Sequence, residues 1–189
     1  MNRDDSGYRD GERLLKERRF TEAFEIYKRL AADGDPNCQG LLGWMYYEGL
    51  GVEKNEEQAL LLFKGAAQLG SKVAAFYCGK HALIHERYEE AIQWFHESAR
   101  QEFGPSLLWL GLVHIRALGV REDLRKGVEY LERAAAAGNF LARRELALLM
   151  IRGKLGLAKV PFGILLFVYA SAVALVDGIS KGHSDKLMG

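Results

Sequence analysis

An all-α fold built from about five stacked helical hairpins is what this 189-residue sequence predicts. Three observations carry the prediction. Segments 68 positions apart match one another, small residues recur where paired helices would cross, and only three prolines stand among abundant Ala, Leu, Glu, Lys and Arg.

Placing Gly43 over Gly111 puts Leu42 over Leu110, Gly51-Val52 over Gly119-Val120, Ala66-Ala67 over Ala134-Ala135 and Gly70 over Gly138. The same offset puts Gly11 over Gly79, Phe20 over Tyr88, Ala23 over Ala91, Phe24 over Ile92 and Tyr27 over Phe95. The offset therefore spans two repeats. Units begin near Asn2, Gly34, Gly70, Glu102 and Gly138, so short and long repeats alternate at 32 and 36 residues.

Unit one places Gly11 on its first helix, A, and Ala23 twelve residues later on its second, B, with a polar turn and an aromatic between them. Unit two widens that interval to sixteen, from Gly43 to Ala59, and the extra residues form the loop Gly49-Leu50-Gly51-Val52. Glycine suits such a loop because a helix commonly ends on a residue with positive φ, which a side chain resists. Unit three returns to twelve, Gly79 to Ala91, and unit four again to sixteen, Gly111 to Gly127, through Ala117-Leu118-Gly119-Val120. Position three of helix A is Cys38, Ala74, Ser106 or Ala142, and position eight is Gly43, Gly79, Gly111 or Ala147. Small side chains there let a second helix approach closely, while Tyr46, Phe63, Phe95, Tyr130 and Leu131 fill the remaining volume. A lone hairpin cannot bury both faces, so stability comes from stacking.

Unit five breaks the pattern. Its helix B should be amphipathic, yet residues 160–176, V-P-F-G-I-L-L-F-V-Y-A-S-A-V-A-L-V, run from Val160 to Val176 without a charge. As helix this is about 26 Å, the short limit for spanning a bilayer. Pro161 suits a first turn, and Ala170, Ala174 and Gly178 make a small-residue stripe fit for close helix contact. Residues 116–159 carry ten basic and five acidic side chains just before the run, a pattern found on the cytoplasmic side of anionic membranes. Against spanning, residues 181–186 are polar on the far side. Three readings stand side by side: a buried cap on the array, a homodimer contact, and inner-membrane association. The division expected is an array over 2–152 and an apolar helix with a polar tail over 153–189.

The residues L-G-x-x-Y-x-x-G-x-G-V, followed by A and then by A-A-x-x-G, resemble the Sel-one-like repeat, a relative of the tetratricopeptide repeat. Unit two carries the pattern fully. Unit four carries it with His114 for the tyrosine and Gly127 for the alanine, and units one and three look more like tetratricopeptide repeats with a shortened second half. The resemblance covers about residues 2–152. It implies a right-handed α-solenoid that binds other proteins and organises complexes, commonly in bacterial signalling, envelope or polysaccharide systems, without catalytic residues.

In such arrays the A helices line the concave surface. If positions 2, 5, 9, 12 and 13 point there, as in tetratricopeptide repeats, the lining includes Trp44, Tyr47, Glu48, Phe76, Lys80, Leu83, Leu112, Ile115, Arg116, Arg144, Leu148 and Arg152. It is aromatic in the middle and basic towards the C-terminal end, which suits a partner segment with apolar anchors and acidic character. Trp44 and Tyr47 are its expected energetic centres.

Other chemistries find little footing. His81 and His85 stand four apart beside Glu86 but lack a third ligand at a recognisable spacing, so no metal or other cofactor is expected. Gly49-Leu50-Gly51 follows a helix rather than a strand, which argues against a nucleotide loop. No nucleophile motif or paired carboxylates appear, so an enzyme is not expected. With 26 Lys and Arg against 25 Asp and Glu, charge gives no reason to expect a nucleic-acid binder. The opening residues lack a secretory pattern, and Cys38 and Cys78 read as reduced core residues of a cytoplasmic protein. The expected function is a non-catalytic adaptor or scaffold. The alternative is a regulatory or immunity-type inhibitor of a partner enzyme.

Overall fold

The computed structural model of the chain describes residues 5–186, with side chains over 6–173. Among them are ten α-helices, one short 3-10 turn and no strand. The helices are α1 (Asp5–Lys16), α2 (Phe20–Ala32), α3 (Pro36–Glu48), α4 (Glu56–Gln68) and α5 (Lys72–Ile84). They continue with α6 (Tyr88–Ala99), α7 (Gly104–Ile115), α8 (Leu124–Ala136), α9 (Phe140–Ile151), the 3-10 turn Leu157–Lys159, and α10 (Val160–Lys186).

Local chemistry sets the starts and stops. Asp35 accepts hydrogen bonds from the Asn37 and Cys38 amides, Asn55 from Gln58, Ser71 from Ala74, Asp123 from Lys126 and Asn139 from Ala142. Each satisfies an amide that the first helical turn leaves without a partner. Helix α3 stops on Gly49 at φ 73°, and Gly34, Gly70 and Gly138 bring the chain from one hairpin into the next at φ 86–90°. Glu102 holds the equivalent place at φ 51°.

The chain divides into two compact units, Met1–Gln101 and Glu102–Gly189. In the first, each helix from α1 to α6 packs on the next. In the second, α7 packs on α8, α8 on α9 and α9 on α10. Helix α10 lies along α9 within the second unit.

The crossings follow the expected small positions. Cys38, Ala74, Ser106 and Ala142 are buried, as are Ala23, Ala59 and Ala91. A β-carbon at Gly11 would lie 2.7 Å from the Tyr27 ring, and one at Gly79 would lie 2.6 Å from Phe95. In the longer hairpins a β-carbon at Gly43 would meet Phe63 at 2.9 Å, and one at Gly111 would meet Leu131 at 2.8 Å. Each large helix B side chain therefore rests on a bare patch of helix A. Leu50 and Val52 of the glycine loop pack back on the core that Phe24, Tyr27, Leu42 and Met45 form. Cys38 and Cys78 are free and buried.

The fifth hairpin inverts the arrangement. Ala147 occupies the small position on α9, and Gly163, sixteen residues on, stands where Tyr27 and Phe95 stand relative to Gly11 and Gly79. A β-carbon at Gly163 would lie 2.6 Å from Met150 Cβ and 3.0 Å from the Ala147 carbonyl, so small meets small and the helices close up. Ala170 is buried, whereas Phe162, Ile164, Leu165, Val168 and Tyr169 are exposed. Among the described residues no helix is long and apolar enough to cross a membrane. The side chains of Ala174 to Val176, and those of the polar tail, lie outside the described set.

Candidate functional site

Helices α3 and α5 carry six of the expected lining residues in the first unit, Trp44, Tyr47, Glu48, Phe76, Lys80 and Leu83. Trp44 packs against both core clusters there and is half-buried, so part of its indole serves packing. Tyr47 lies 6.0 Å from Tyr77 and 6.5 Å from Phe63, ring centre to ring centre. Phe63 and Tyr77 stack at 4.7 Å with their planes 7° apart, and Phe76 meets Tyr77 edge-on at 5.5 Å. Two lysines cover this cluster. Lys80 Nζ stands 5.7 Å from the centre of Tyr77 and 6.0 Å from that of Phe76, and Lys54 Nζ stands 5.6 Å from that of Tyr47. Lys54 also pairs with Glu56 at 2.7 Å, while Glu48 is exposed beside the cluster. The face thus offers half-exposed aromatic area with cations at its rim, a combination that can receive an apolar anchor flanked by carboxylates.

Tyr77 is the residue that spacing missed. Position six of a helix A falls outside the rule used, and the signal available was only the adjacent aromatic pair Phe76-Tyr77. Burial, then Glu48 and Tyr47, push its phenol above the ordinary value, so Tyr77 remains a neutral hydrogen-bond donor.

In the second unit Arg116 ends α7, Arg144 lies on α9 and Arg152 ends α9, all three exposed. None has an ion-pair partner among the described residues, whereas Arg13, Arg19, Arg87 and Arg100 of the first unit are each paired with a carboxylate. Unpaired guanidiniums are the more available to an outside carboxylate. Leu112 departs from the expectation. It is 7% exposed, because α7 is apolar around most of its circumference and buries Leu107, Leu108, Leu110, Leu112 and Val113 together. Position nine there serves the core. His114, which replaces the tyrosine of the repeat pattern, is also buried, its ring stacked on Tyr130 at 5.8 Å.

His81 and His85 lie at the end of α5 with ring centres 4.5 Å apart. Among the described residues no group of three or more His, Cys, Asp or Glu is placed to hold a metal ion. Burial, then His85 and Arg87, hold His81 below its ordinary value of 6.5, with Glu56 and Glu90 opposing. Folded His81 therefore gives up its proton more readily than unfolded His81, and the unfolded chain binds more protons as pH falls. Stability is expected to drop on acidification from about pH 7 to about pH 5 by more in the wild type than in a His81→Asn variant. Melting temperatures of the two across that range check this, and equal slopes would remove His81 as a contributor.

Comparison with known proteins places the chain. The sequence model of the Sel1 repeat matches residues 36–71, 74–103 and 104–139, including the third unit, which had looked closer to a tetratricopeptide repeat. A sel1-like repeat-containing protein of Acanthamoeba polyphaga mimivirus is 26% identical over 129 residues, 68% of this chain and 24% of its own length. An uncharacterized protein of Neisseria meningitidis is 25% identical over 116 residues, 61% of this chain and 25% of its own. The chain thus spans about a quarter of the length of these curated relatives. Among solved structures, a Sel1 repeat protein from Oxalobacter formigenes superposes with a TM-score of 0.71 at 26% identity, over 79% of this chain and 64% of that one. The immunity protein PA5088 from Pseudomonas aeruginosa superposes with a TM-score of 0.63 at 19% identity, over 90% of this chain and 65% of that one, a likeness of fold alone. Proteins of this kind are helical solenoids whose repeats mediate protein–protein contacts and are generally non-catalytic. With three matched repeats over more than half of its residues, and the hairpin geometry that those repeats require, the chain belongs to the Sel1 repeat family.

Proposed function

We propose that this protein is a non-catalytic adaptor that holds a segment of a partner protein on the A-helix faces of its repeats. The observation that carries the reading is the half-exposed aromatic cluster Trp44, Tyr47, Phe76 and Tyr77 with Lys54 and Lys80 over its rings. Aromatic anchors rimmed by cations favour a segment with apolar side chains and flanking carboxylates. The unpaired Arg116, Arg144 and Arg152 of the second unit favour acidic character as well, and Glu48 sets a limit on it near Tyr47. Leu112 has no part in this reading, since burial removes it from contact.

Action in the cytoplasm belongs to the same proposal. The two cysteines are free and buried, and burial pushes the Cys78 thiol up to about 12, which suits an inert core residue.

The test is affinity capture from the source cell with the wild type and with a Trp44→Ala, Tyr47→Ala double variant. The variant is expected to fold with unchanged helical content and to lose at least one partner, since truncating such anchors costs about 2 kcal/mol or more each. Retention of every partner would overturn the assignment.

The second reading is a regulatory or immunity-type inhibitor, favoured by the shared fold of the immunity protein PA5088. The two differ in consequence: deleting an adaptor dismantles a complex, whereas deleting an inhibitor releases an activity.

A further inference from the structure

Helix α10 turns large apolar side chains outward and small ones inward. Phe162, Leu165, Val168 and Tyr169 are exposed by 59, 70, 62 and 57%, while the small Gly163, which meets α9, and Ala170 are buried. The outward residues follow the 3-4 spacing of a helix-pairing seam: Phe162, Leu165, Tyr169 and Ala172 occupy a and d positions, and Val176 and Ile179 continue the spacing in the sequence. Gly163, Leu166, Phe167, Ala170 and Val173, which face α9 or are half buried, fall at the remaining b, e and f positions. The helix therefore carries two separate faces, and among the described residues only one of them packs on another α-helix.

The rest of the array shows what such a second face normally meets. Helix α2 packs on α1 and α3, α4 on α3 and α5, and α8 on α7 and α9, so these three B helices each lie between two A helices. Helix α10 packs chiefly on α9, with the adjacent 3-10 turn Leu157–Lys159 beside it. Its free face is the one that stacking uses elsewhere, and a helix is the shape it fits.

We propose that this face pairs with the α10 helix of a second copy of the chain in a two-fold symmetric dimer. A face without charge can be set against itself with no ion desolvated, which self-pairing about a two-fold axis requires. The exposed apolar side chains amount to roughly 600 Å², at the upper end of what a monomer surface carries and approaching the roughly 800 Å² per partner of a stable interface. An interfacial membrane helix carries lysine and arginine along the edges of its apolar face. Residues 160–176 carry none, while Lys159 before them and Lys181 and Lys186 later in α10 make a lipid surface the outcome that the vesicle test reads.

Sedimentation velocity of the full chain at roughly ten micromolar and above is expected to show a dimer. A Leu165→Glu, Tyr169→Glu variant is expected to be monomeric, with self-association weakened by more than about tenfold and circular dichroism unchanged, since both side chains are exposed. Should that variant lose helicity, Val168→Lys on the same face reads the same outcome. A monomeric wild type, or a dimer that survives substitution of the face, would overturn the proposal. So would a monomer that pellets with phosphatidylglycerol-containing vesicles through this face, which would assign it to lipid. The Trp44→Ala, Tyr47→Ala variant leaves α10 untouched and remains dimeric, so failure of the groove reading and failure of this one are told apart.

Discussion

Gly51→Ala is expected to be among the most damaging single-methyl substitutions in the first unit, lowering stability by roughly 3 kcal/mol or more. The added β-carbon would lie 2.4 Å from the Phe20 carbonyl carbon and oxygen and 2.6 Å from the Thr21 amide nitrogen. These are backbone atoms at the start of α2 and cannot rotate away. The residue also sits at φ 72°, where a side chain adds about 1 kcal/mol of strain. The control is Gly49→Ala, two residues earlier at φ 73°. Its β-carbon would find nothing nearer than Lys54 Cβ at 3.4 Å, an ordinary contact. That variant should lose only the backbone component, about 1 kcal/mol. For a chain of this size the pair should differ in melting temperature by roughly 4 °C or more. Equal melting temperatures would mean that the loop does not rest on α2. The site is coupled to the outcome, because this loop ties the end of α3, which carries Trp44 and Tyr47, to the preceding hairpin.

Phe95→Ala should cost about 3–5 kcal/mol, the range for emptying a buried aromatic site. Phe95 is fully buried, and its ring lies on Gly79 and meets Phe76 at 6.1 Å. Gly79→Ala attacks the same crossing from the other helix. Its β-carbon would lie 2.6 Å from two Phe95 ring atoms, so overpacking costs about 1–3 kcal/mol, offset by about 0.5–1 kcal/mol because alanine is the better helix former. Since the two residues share one contact, their effects should not add. Combining Gly79→Ala with Phe95→Leu should cost less than the two single changes together, by about 1 kcal/mol or more. Chemical denaturation of the four proteins in the cycle measures the coupling, and strict additivity would mean that ring and glycine do not bear on each other.

Both predictions concern features that were legible in the sequence. Gly43, Gly79 and Gly111 were read as crossing points from recurrence alone, and the structure lays Phe63, Phe95 and Leu131 on them. The glycine loop was likewise read from the longer interval between helices. Such features are local: a residue without a β-carbon, at a fixed distance along two helices joined by a short turn, leaves few ways for the helices to meet. The lining of the interaction face was less legible. The positional rule named Leu112, which is buried, and passed over Tyr77, which lies at the centre of the aromatic cluster. A rule of spacing fixes the direction of a side chain from its own helix but not how much of it the next helix covers. On α7, apolar on nearly every side, that coverage is almost complete.

The sequence by itself determined the helical class, the hairpin unit and its alternating length, because these depend on recurrence and on residues that act within one or two turns. Only the tertiary structure decided which aromatic rings remain half exposed, that the chain divides near Gln101, and that α10 belongs with α9. The charge-free run 160–176 shows why. Its composition could not say which side would be used, since every face of it is apolar. The choice was made by fit: Gly163 lets α9 approach to contact distance, and that close approach turned Phe162, Leu165 and Tyr169 away from the core.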